Sequence, residues 1–313
     1  MKTWREYGSE WLDTLVVAIS VAMAFRAYFF EPFNIPTGSM QPTLYGNHSE
    51  RCEEAGVFQT TPLKWFNWLL TGRDYKEFKA PFSGNIVFHD GRNGRFDFAI
   101  SSPTGAGLGG QVSLPTDALR SLDLGEAYSG RELWVRPTGD RRYAVLCVKG
   151  PNGEEPVRVP AGHVIWRGYD TTGDFIFVNR WAWNFRSPAR GDVMVFSTTG
   201  ITALDQGTHY IKRLTALPGE TIEIKKPDVF IDGVKLDPIK PMAGARGEST
   251  PEPNPGGMHG PVTLKAGEYF ACGDNSDNSS DSRYWGPVPE GNLKGVGSIV
   301  FWPIINPRWG VIK

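Results

Sequence analysis

Residues 36–44 read Pro-Thr-Gly-Ser-Met-Gln-Pro-Thr-Leu. Pro36 and Pro42 fix φ on either side of Ser39, and Gly38 beside it permits close approach or strained geometry. A hydroxyl on so stiff a turn, a few residues beyond an apolar stretch ending near Phe33, has the setting of a nucleophile at a membrane surface. The same nine residues also fit an ordinary solvated turn. A serine hydroxyl is a weak nucleophile and needs a base. The five histidines, His48, His89, His163, His209 and His259, fall in no recognisable triad signature, and Gly-x-Ser-x-Gly is absent. A lysine can take the role if its amine is neutral, because burial disfavours the ammonium and lowers its pKa. Lys212 has that setting, flanked by Tyr210, Ile211 and Leu214 in a strand expected to be buried. Alternation places Tyr210 and Lys212 on one face of this strand and Arg213 on the other. The competing reading is an edge-strand lysine that faces water.

A third constellation runs from Gly273 to Gly286, Gly-Asp-Asn-Ser-Asp-Asn-Ser-Ser-Asp-Ser-Arg-Tyr-Trp-Gly. Its alternating acids and amides invite a calcium loop. An EF-hand starting at Asp274 requires glycine at its sixth position and glutamate at its twelfth, where this chain has Ser279 and Trp285. The remaining reading is a tightly hydrogen-bonded turn whose side chains brace a neighbouring site.

The elements that must position these residues are mostly strands. The chain of 313 residues carries 37 glycines and 24 prolines, about a fifth of the total against roughly an eighth on average. With many Val, Ile, Phe, Tyr and Trp clusters, that excess favours a turn-rich β protein. Strands are expected at 85–89, 95–100, 143–148, 174–178, 191–196, 209–214, 221–224 and 229–231, and Asp232-Gly233 supports a hairpin. A short helix is expected over 61–70, and residues 242–260 read as a Pro/Gly/Ser-rich loop. A formal net charge of −1 gives no basic field for nucleic acid. Cys52, Cys147 and Cys272 are far apart and form no Cys-x-x-Cys, which reads as three thiols with one long-range pair left open.

Trp11 to Phe30 has the ~20-residue length of a bilayer-spanning helix. Trp11 at one end and Tyr28, Phe29 and Phe30 at the other resemble interfacial aromatic belts, and Arg26 can snorkel. Asp13 and Arg26 bound only twelve uncharged residues, 14–25, so a cleavable secretory signal or a buried helix also fits. Lys2 and Arg5 ahead of the span lean toward a cytoplasmic N-terminus and an exported body.

Taken together, the turn at 36–44 after an apolar span, Gly191 to Phe196, Tyr210-Ile211-Lys212-Arg213 through Pro218-Gly219, and Gly273 to Gly286 resemble bacterial type I signal peptidase, a Ser/Lys membrane endopeptidase. The resemblance covers about residues 11–45 and 165–313. It implies a mostly β, signal-peptidase-like fold of antiparallel sheets behind one N-terminal transmembrane helix. It implies a short cytoplasmic N-terminus (1–10), an anchor (11–30), a catalytic β domain (31–45 and 165–313) and a β-rich insertion (46–164). Ser39 would be the nucleophile and Lys212 its general base. The Ser39 backbone N–H and the Thr37 hydroxyl would form the oxyanion hole. Serine is common in the family where Thr37 stands, and the threonine methyl limits χ1. Ser279 would orient Lys212, and Asp281 would pair with Arg213 and Arg283, with Asp274 structural. Phe33, Ile35, Pro36, Leu44 and Tyr210 would line shallow apolar pockets that select Ala-x-Ala by excluding bulk.

The partners implied are preprotein signal peptides and the lipid bilayer, with the secretion machinery an open further one, and no metal or organic cofactor. The location implied is the cytoplasmic (inner) membrane, single-pass, with the catalytic domain on the extracytoplasmic side. A catalytically silent tethered module that binds signal-like segments, and a Ser/Lys peptidase with a specialised substrate, are the rival readings. One departure is large. Ser39 and Lys212 are 173 residues apart, far more than in the family's familiar members, so much of 46–165 is unexplained by the motifs.

Overall fold

A computed structural model describes residues 4–59, 62–91, 93–102, 107–138, 143–150, 153–225, 228–236 and 260–312. The loop expected at 242–260 lies outside these residues apart from Gly260. Helix α1 (Trp4–Tyr28) begins earlier than expected and stops before Phe30. Phe30 opens strand β1 (Phe30–Asn34), because Pro32 cannot continue a helix and holds the residue before it extended. Around α1 the side chains of Trp11, Leu12, Leu15, Val16, Val17, Ile19, Val21 and Met23 are all exposed. Among the described residues no helix is long and apolar enough to cross a membrane.

Past the serine turn come β2 (His48–Arg51), α2 (Leu63–Thr71) and β3 (Arg73–Lys79). Helix α2 ends at Gly72, whose φ of 70° is the left-handed geometry that glycine adopts freely. Seven short strands follow: β4 (Gly84–Asp90), β5 (Arg95–Ser101), β6 (Leu108–Pro115), β7 (Leu133–Pro137), β8 (Ala144–Gly150), β9 (Gly153–Pro156) and β10 (Arg158–Val159). They form one sheet, ordered β6-β5-β4-β8-β7, with β10 on β4 and β9 on β8. Its inner face carries Ile86, Phe88, Phe98, Ile100, Leu114, Leu146 and Val148, and Phe78 and Trp166 close the cluster from outside the sheet.

The chain enters and leaves this sheet at one place. Ala80 N–H donates to His163 C=O at 2.9 Å, and Gly162 N–H donates to Ala80 C=O at 2.8 Å. Strand β11 (Val164–Thr171) then lies antiparallel between β2 and β3.

The larger sheet holds the chemistry. Its strands are β1, β12 (Phe175–Asn179), β13 (Val193–Ser197), β14 (His209–Ala216), β19 (Glu268–Cys272), β20 (Val288–Pro289) and β21 (Leu293–Trp302), in the order β1-β12-β21-β13-β14-β19-β20. Helix α3 (Ala182–Phe185) follows β12, and α4 (Ser282–Trp285) follows β19. Short β22 (Gly310–Val311) pairs with β21. A side hairpin of β15 (Thr221–Lys225), β16 (Asp228–Ile231), β17 (Val234–Lys235) and β18 (Val262–Thr263) completes the body, with Asp232 and Gly233 both at positive φ in its turn. Every pairing in these sheets is antiparallel. Strand β13 is buried at all five positions, as its unbroken apolar run requires at the centre of a sheet. The sheet curls until Phe33 on β1 lies edge-on to His209 at the start of β14, with ring centres 5.5 Å apart.

Candidate active site

The serine turn is a single 3-10 turn, Gly38–Met40, entered from extended backbone at Thr37. Two apolar side chains pin it from below: Met40 and Leu44 are fully buried among Ile176, Val178, Val193 and Val300. Burying each contributes about 1.5–3 kcal/mol, enough to fix the turn against the sheet. With Met40 held inward, Ser39 faces β14. Lys212 Nζ lies 2.8 Å from Ser39 Oγ and donates to Ile211 C=O at 3.0 Å. Lys212 is 4% exposed and Ser39 7%.

Burial lowers the Lys212 pKa from 10.5 to about 8, while Asp281, Asp274 and Cys272 pull it upward and Arg283 pushes it down. Burial outweighs the two carboxylates, each of which is paired with an arginine. Asp274 accepts from Arg213 Nε and Nη2, both at 2.7 Å. Asp281 accepts from Arg283 Nε at 2.7 Å and Nη2 at 2.8 Å. A neutral amine has a lone pair for the Ser39 proton and an N–H for Ile211, so the pair can act as nucleophile and general base. The ring of Tyr210 stands 5.6 Å from Nζ, on the face expected from strand alternation.

The loop that follows β19 grips the serine turn directly. Asn275 N–H donates to Ser39 C=O at 3.0 Å, and Asn275 Nδ2 donates to Gly38 C=O at 3.0 Å. Gly273 must be glycine: a Cβ there would lie 2.2 Å from Ser279 Oγ and 2.5 Å from Ser39 C=O. Asp281 braces this close approach by accepting from Gly273 N–H at 2.9 Å, and it caps α4 through Arg283 N–H. Thr43 adds a second link, donating to Asp274 Oδ2 at 2.6 Å while accepting from Arg213 Nη2 at 3.2 Å.

Three expectations need correction. Asp281 pairs with Arg283 and not with Arg213. Arg213 points off the opposite face of β14 from Lys212, and there it meets Asp274. Ser279 does not hydrogen-bond Lys212: its Oγ is buried without a partner, and the amine is engaged by Ser39 and Ile211. Ile35 and Leu44 are 2% and 0% exposed and belong to the core, so neither lines a surface pocket in this conformation. Phe33, Pro36 and Tyr210 are half-buried and Thr37 is exposed, all within reach of solvent. The gripping role of Asn275 and the Thr43 link went unread, although both lie inside motifs singled out in the sequence. Neither role has a composition signal, since each depends on which carbonyl or carboxylate the fold brings alongside.

The three cysteines are free: Cys52 is half-buried and Cys147 and Cys272 are buried. Among the described residues no group of three or more His, Cys, Asp or Glu side chains could hold a metal ion.

Sequence comparison adds a family to this contact between a serine and a buried lysine on an antiparallel β scaffold. The profile described as signal peptidase, peptidase S26, matches residues 8–87 and 170–302. The chain belongs to that family. It is 32% identical over 140 residues to a probable signal peptidase I-2 of Synechocystis sp., covering 44% of this chain and 59% of that protein. It is 34% identical over 136 residues to a signal peptidase I of Leptolyngbya laminosa, covering 42% and 61%. The matched region thus spans less than two thirds of these relatives. The crystal structure of a signal peptidase I from Enterococcus faecalis V583 shares 31% identity over 36% of this chain and 97% of that one, with a TM-score of 0.29.

Proposed function

We propose that this chain is a serine endopeptidase that removes N-terminal signal peptides from exported preproteins, cutting after a small-x-small (Ala-x-Ala) sequence. The observation that carries the proposal is the buried 2.8 Å contact between Ser39 Oγ and Lys212 Nζ, in a chain of the S26 family. Ser39 Oγ attacks the scissile carbonyl as neutral Lys212 takes its proton. The developing oxyanion is received by the Ser39 N–H and the Thr37 hydroxyl. Lys212 then protonates the leaving amine, and in the second half it takes a proton from the water that hydrolyses the acyl-enzyme.

Strand β1 supports an extended substrate, because among the described residues it is the terminal strand of the larger sheet, next to β12. Phe33, Pro36 and Tyr210 border that edge and would admit small side chains at the selected positions. Asp274, Arg213, Asp281 and Arg283 hold the loop that carries Asn275, and Ser279 fills the space beside Gly273.

Helix α1 would anchor the chain at the inner membrane in a single pass, with the β body on the extracytoplasmic side. Its described apolar side chains from Trp11 to Met23 are exposed, as lipid contact favours. Residues 14–25 supply about 18 Å of uncharged helix against about 30 Å of hydrocarbon, so Asp13 and Arg26 must reach the headgroups. The insertion expected at 46–164 would carry most of the second sheet, with its unmatched part at 88–169, between the two stretches of the S26 profile.

The purified protein in detergent, given a preprotein whose signal ends in Ala-x-Ala, should cleave it, and Ser39→Ala and Lys212→Met should not. Equal cleavage by Lys212→Met would remove the base from the mechanism. Absence of cleavage by every form, with binding retained, would favour a silent binding module.

A further inference from the structure

The tip of the β4–β5 hairpin, in the segment the family motifs leave unexplained, reaches the mouth of the active site. Gly94 sits in it at φ +68°, and a Cβ there would lie 2.6 Å from Pro36 C=O and 3.3 Å from Thr37 Cγ2. The contact is built. Asn47 Nδ2 donates to Asn93 C=O at 2.7 Å, Asn47 N–H donates to Pro36 C=O at 3.2 Å, and Asn47 Oδ1 accepts from Gly173 N–H at 3.0 Å. One asparagine therefore ties the hairpin tip, the serine turn and the β11–β12 connection together. Thr116 N–H donates to Gly94 C=O at 3.2 Å, and Arg95 pairs with buried Asp170, which Lys76 also meets at 2.6 Å. Beneath, Gly46 meets the Thr37 backbone so closely that a Cβ would be 2.2 Å from its carbonyl carbon.

We infer that the β4–β5 hairpin tip is a positioning element for the oxyanion donor: it seats the Thr37 methyl, selects one χ1 rotamer, and so aims the Thr37 hydroxyl. This rests on the oxyanion role proposed above for Thr37. A serine has no methyl to seat, and its hydroxyl samples the three staggered wells unless something else holds it. Threonine is already restricted at χ1, and a wall against its Cγ2 removes the remaining freedom. The hairpin and the threonine are then two halves of one device, with Gly94 required because any side chain there would strike Pro36 and Thr37.

The test uses the full chain in detergent micelles and four variants: Thr37→Ser, Thr37→Val, replacement of residues 90–96 by a two-residue Asn-Gly turn joining the paired His89 and Asp97, and that replacement combined with Thr37→Ser. Steady-state cleavage of an Ala-x-Ala peptide gives kcat and KM. Three-bond couplings to the labelled Thr37 methyl give its rotamer population without reference to activity. Thr37→Val should lose about 100-fold in kcat, as for any lost oxyanion donor. Thr37→Ser and the shortened hairpin should each lose about tenfold, with KM within about twofold, and the double variant should be no worse than either single one because both remove one interaction. The methyl couplings should report one rotamer in the wild type and averaging in the shortened hairpin. Thr37 is exposed, so Thr37→Ser leaves the core untouched and carries the test if the hairpin variant does not fold. Full kcat in Thr37→Ser, one rotamer without the tip, or losses that multiply in the double variant would each overturn the inference. A wild type that cleaves nothing would instead refute the proposed activity, and the couplings would still judge the contact.

Discussion

Replacing Lys212 by methionine should make the protein inactive and, at neutral pH, more stable. The folded protein holds this amine at a pKa of about 8, against 10.5 for the free group. Because the folded-state value is the lower one, the folded chain binds fewer protons than the unfolded chain between these two pH values. The group's contribution to stability therefore rises with pH across that window. Below about pH 8 the full cost of a charged buried amine is present, about 3 kcal/mol at roughly 1.4 kcal/mol per pH unit. At 4% exposure little solvent screening reduces this figure. Methionine removes that cost but forfeits the contacts to Ser39 and Ile211, at about 1 kcal/mol each. The variant should be about 1 kcal/mol more stable than wild type at pH 7 and about 2 kcal/mol less stable at pH 10.5. Urea unfolding of both proteins in detergent, from pH 7 to 10.5, measures the difference. Buried Cys272, raised from 9.0 to about 12, weakens both proteins as the pH passes 9, so the two are compared with each other at each pH. A difference that stays flat over the window would mean that Lys212 is not held below its ordinary pKa, and the general-base role would go with it. In the same range wild-type kcat/KM should climb to a plateau with a midpoint near the Lys212 pKa.

Asp274→Ala takes from Arg213, at 2% exposure, the carboxylate that balances its buried charge, and should destabilise the protein by about 3–5 kcal/mol in urea unfolding. Asn275→Ala removes the side-chain bond to Gly38 C=O while keeping the backbone bond to Ser39 C=O. It should lower kcat about tenfold with little change in KM, since about 1.4 kcal/mol of turn positioning is lost. Gly273→Ala forces a Cβ to within 2.5 Å of Ser39 C=O and should abolish cleavage, with the Lys212–Ser39 contact displaced in a crystal structure of the variant. Thiol titration of the native protein should find one reactive cysteine, Cys52, and three in denaturant. Cys147 and Cys272 are buried, with burial raising the pKa of both.

Much of the site was legible because its residue types are locally constrained. Two prolines and a glycine around Ser39 require a rigid turn, and strand alternation puts Lys212 on the face of Tyr210, while its meeting with Ser39 followed from the family resemblance alone. The strands at 85–89, 95–100, 174–178 and 209–214 were readable from runs bounded by Gly, Asn or Asp, and each forms within a residue or two. The expected Asp281–Arg213 partnership failed because both acids of the loop are within sequence reach of both arginines. The choice between them depends on the loop's path after β19, which periodicity does not encode. Ile35 and Leu44 were misplaced for a related reason: an apolar residue near a nucleophile can face the pocket or the core, and here Met40 and Leu44 anchor the turn from beneath. The approach of Gly94 to the Pro36 carbonyl and the Thr37 methyl joins residues more than 50 positions apart, which leaves no mark in either local sequence.

The paired hydrogen bonds between Ala80 and the 162–163 segment have an evolutionary consequence. The two ends of the second sheet are held side by side whatever lies between them, so the register of β3 against β11 is indifferent to the length of the excursion. Lengthening a loop whose ends are already joined costs only about 0.6 kcal/mol for each doubling. Such a doorway lets a lineage lengthen the parts of the excursion that touch neither the serine turn nor β3 and β11 without refitting the machinery beyond it. It also marks residues 80 and 162 as the positions at which a foreign domain could be grafted.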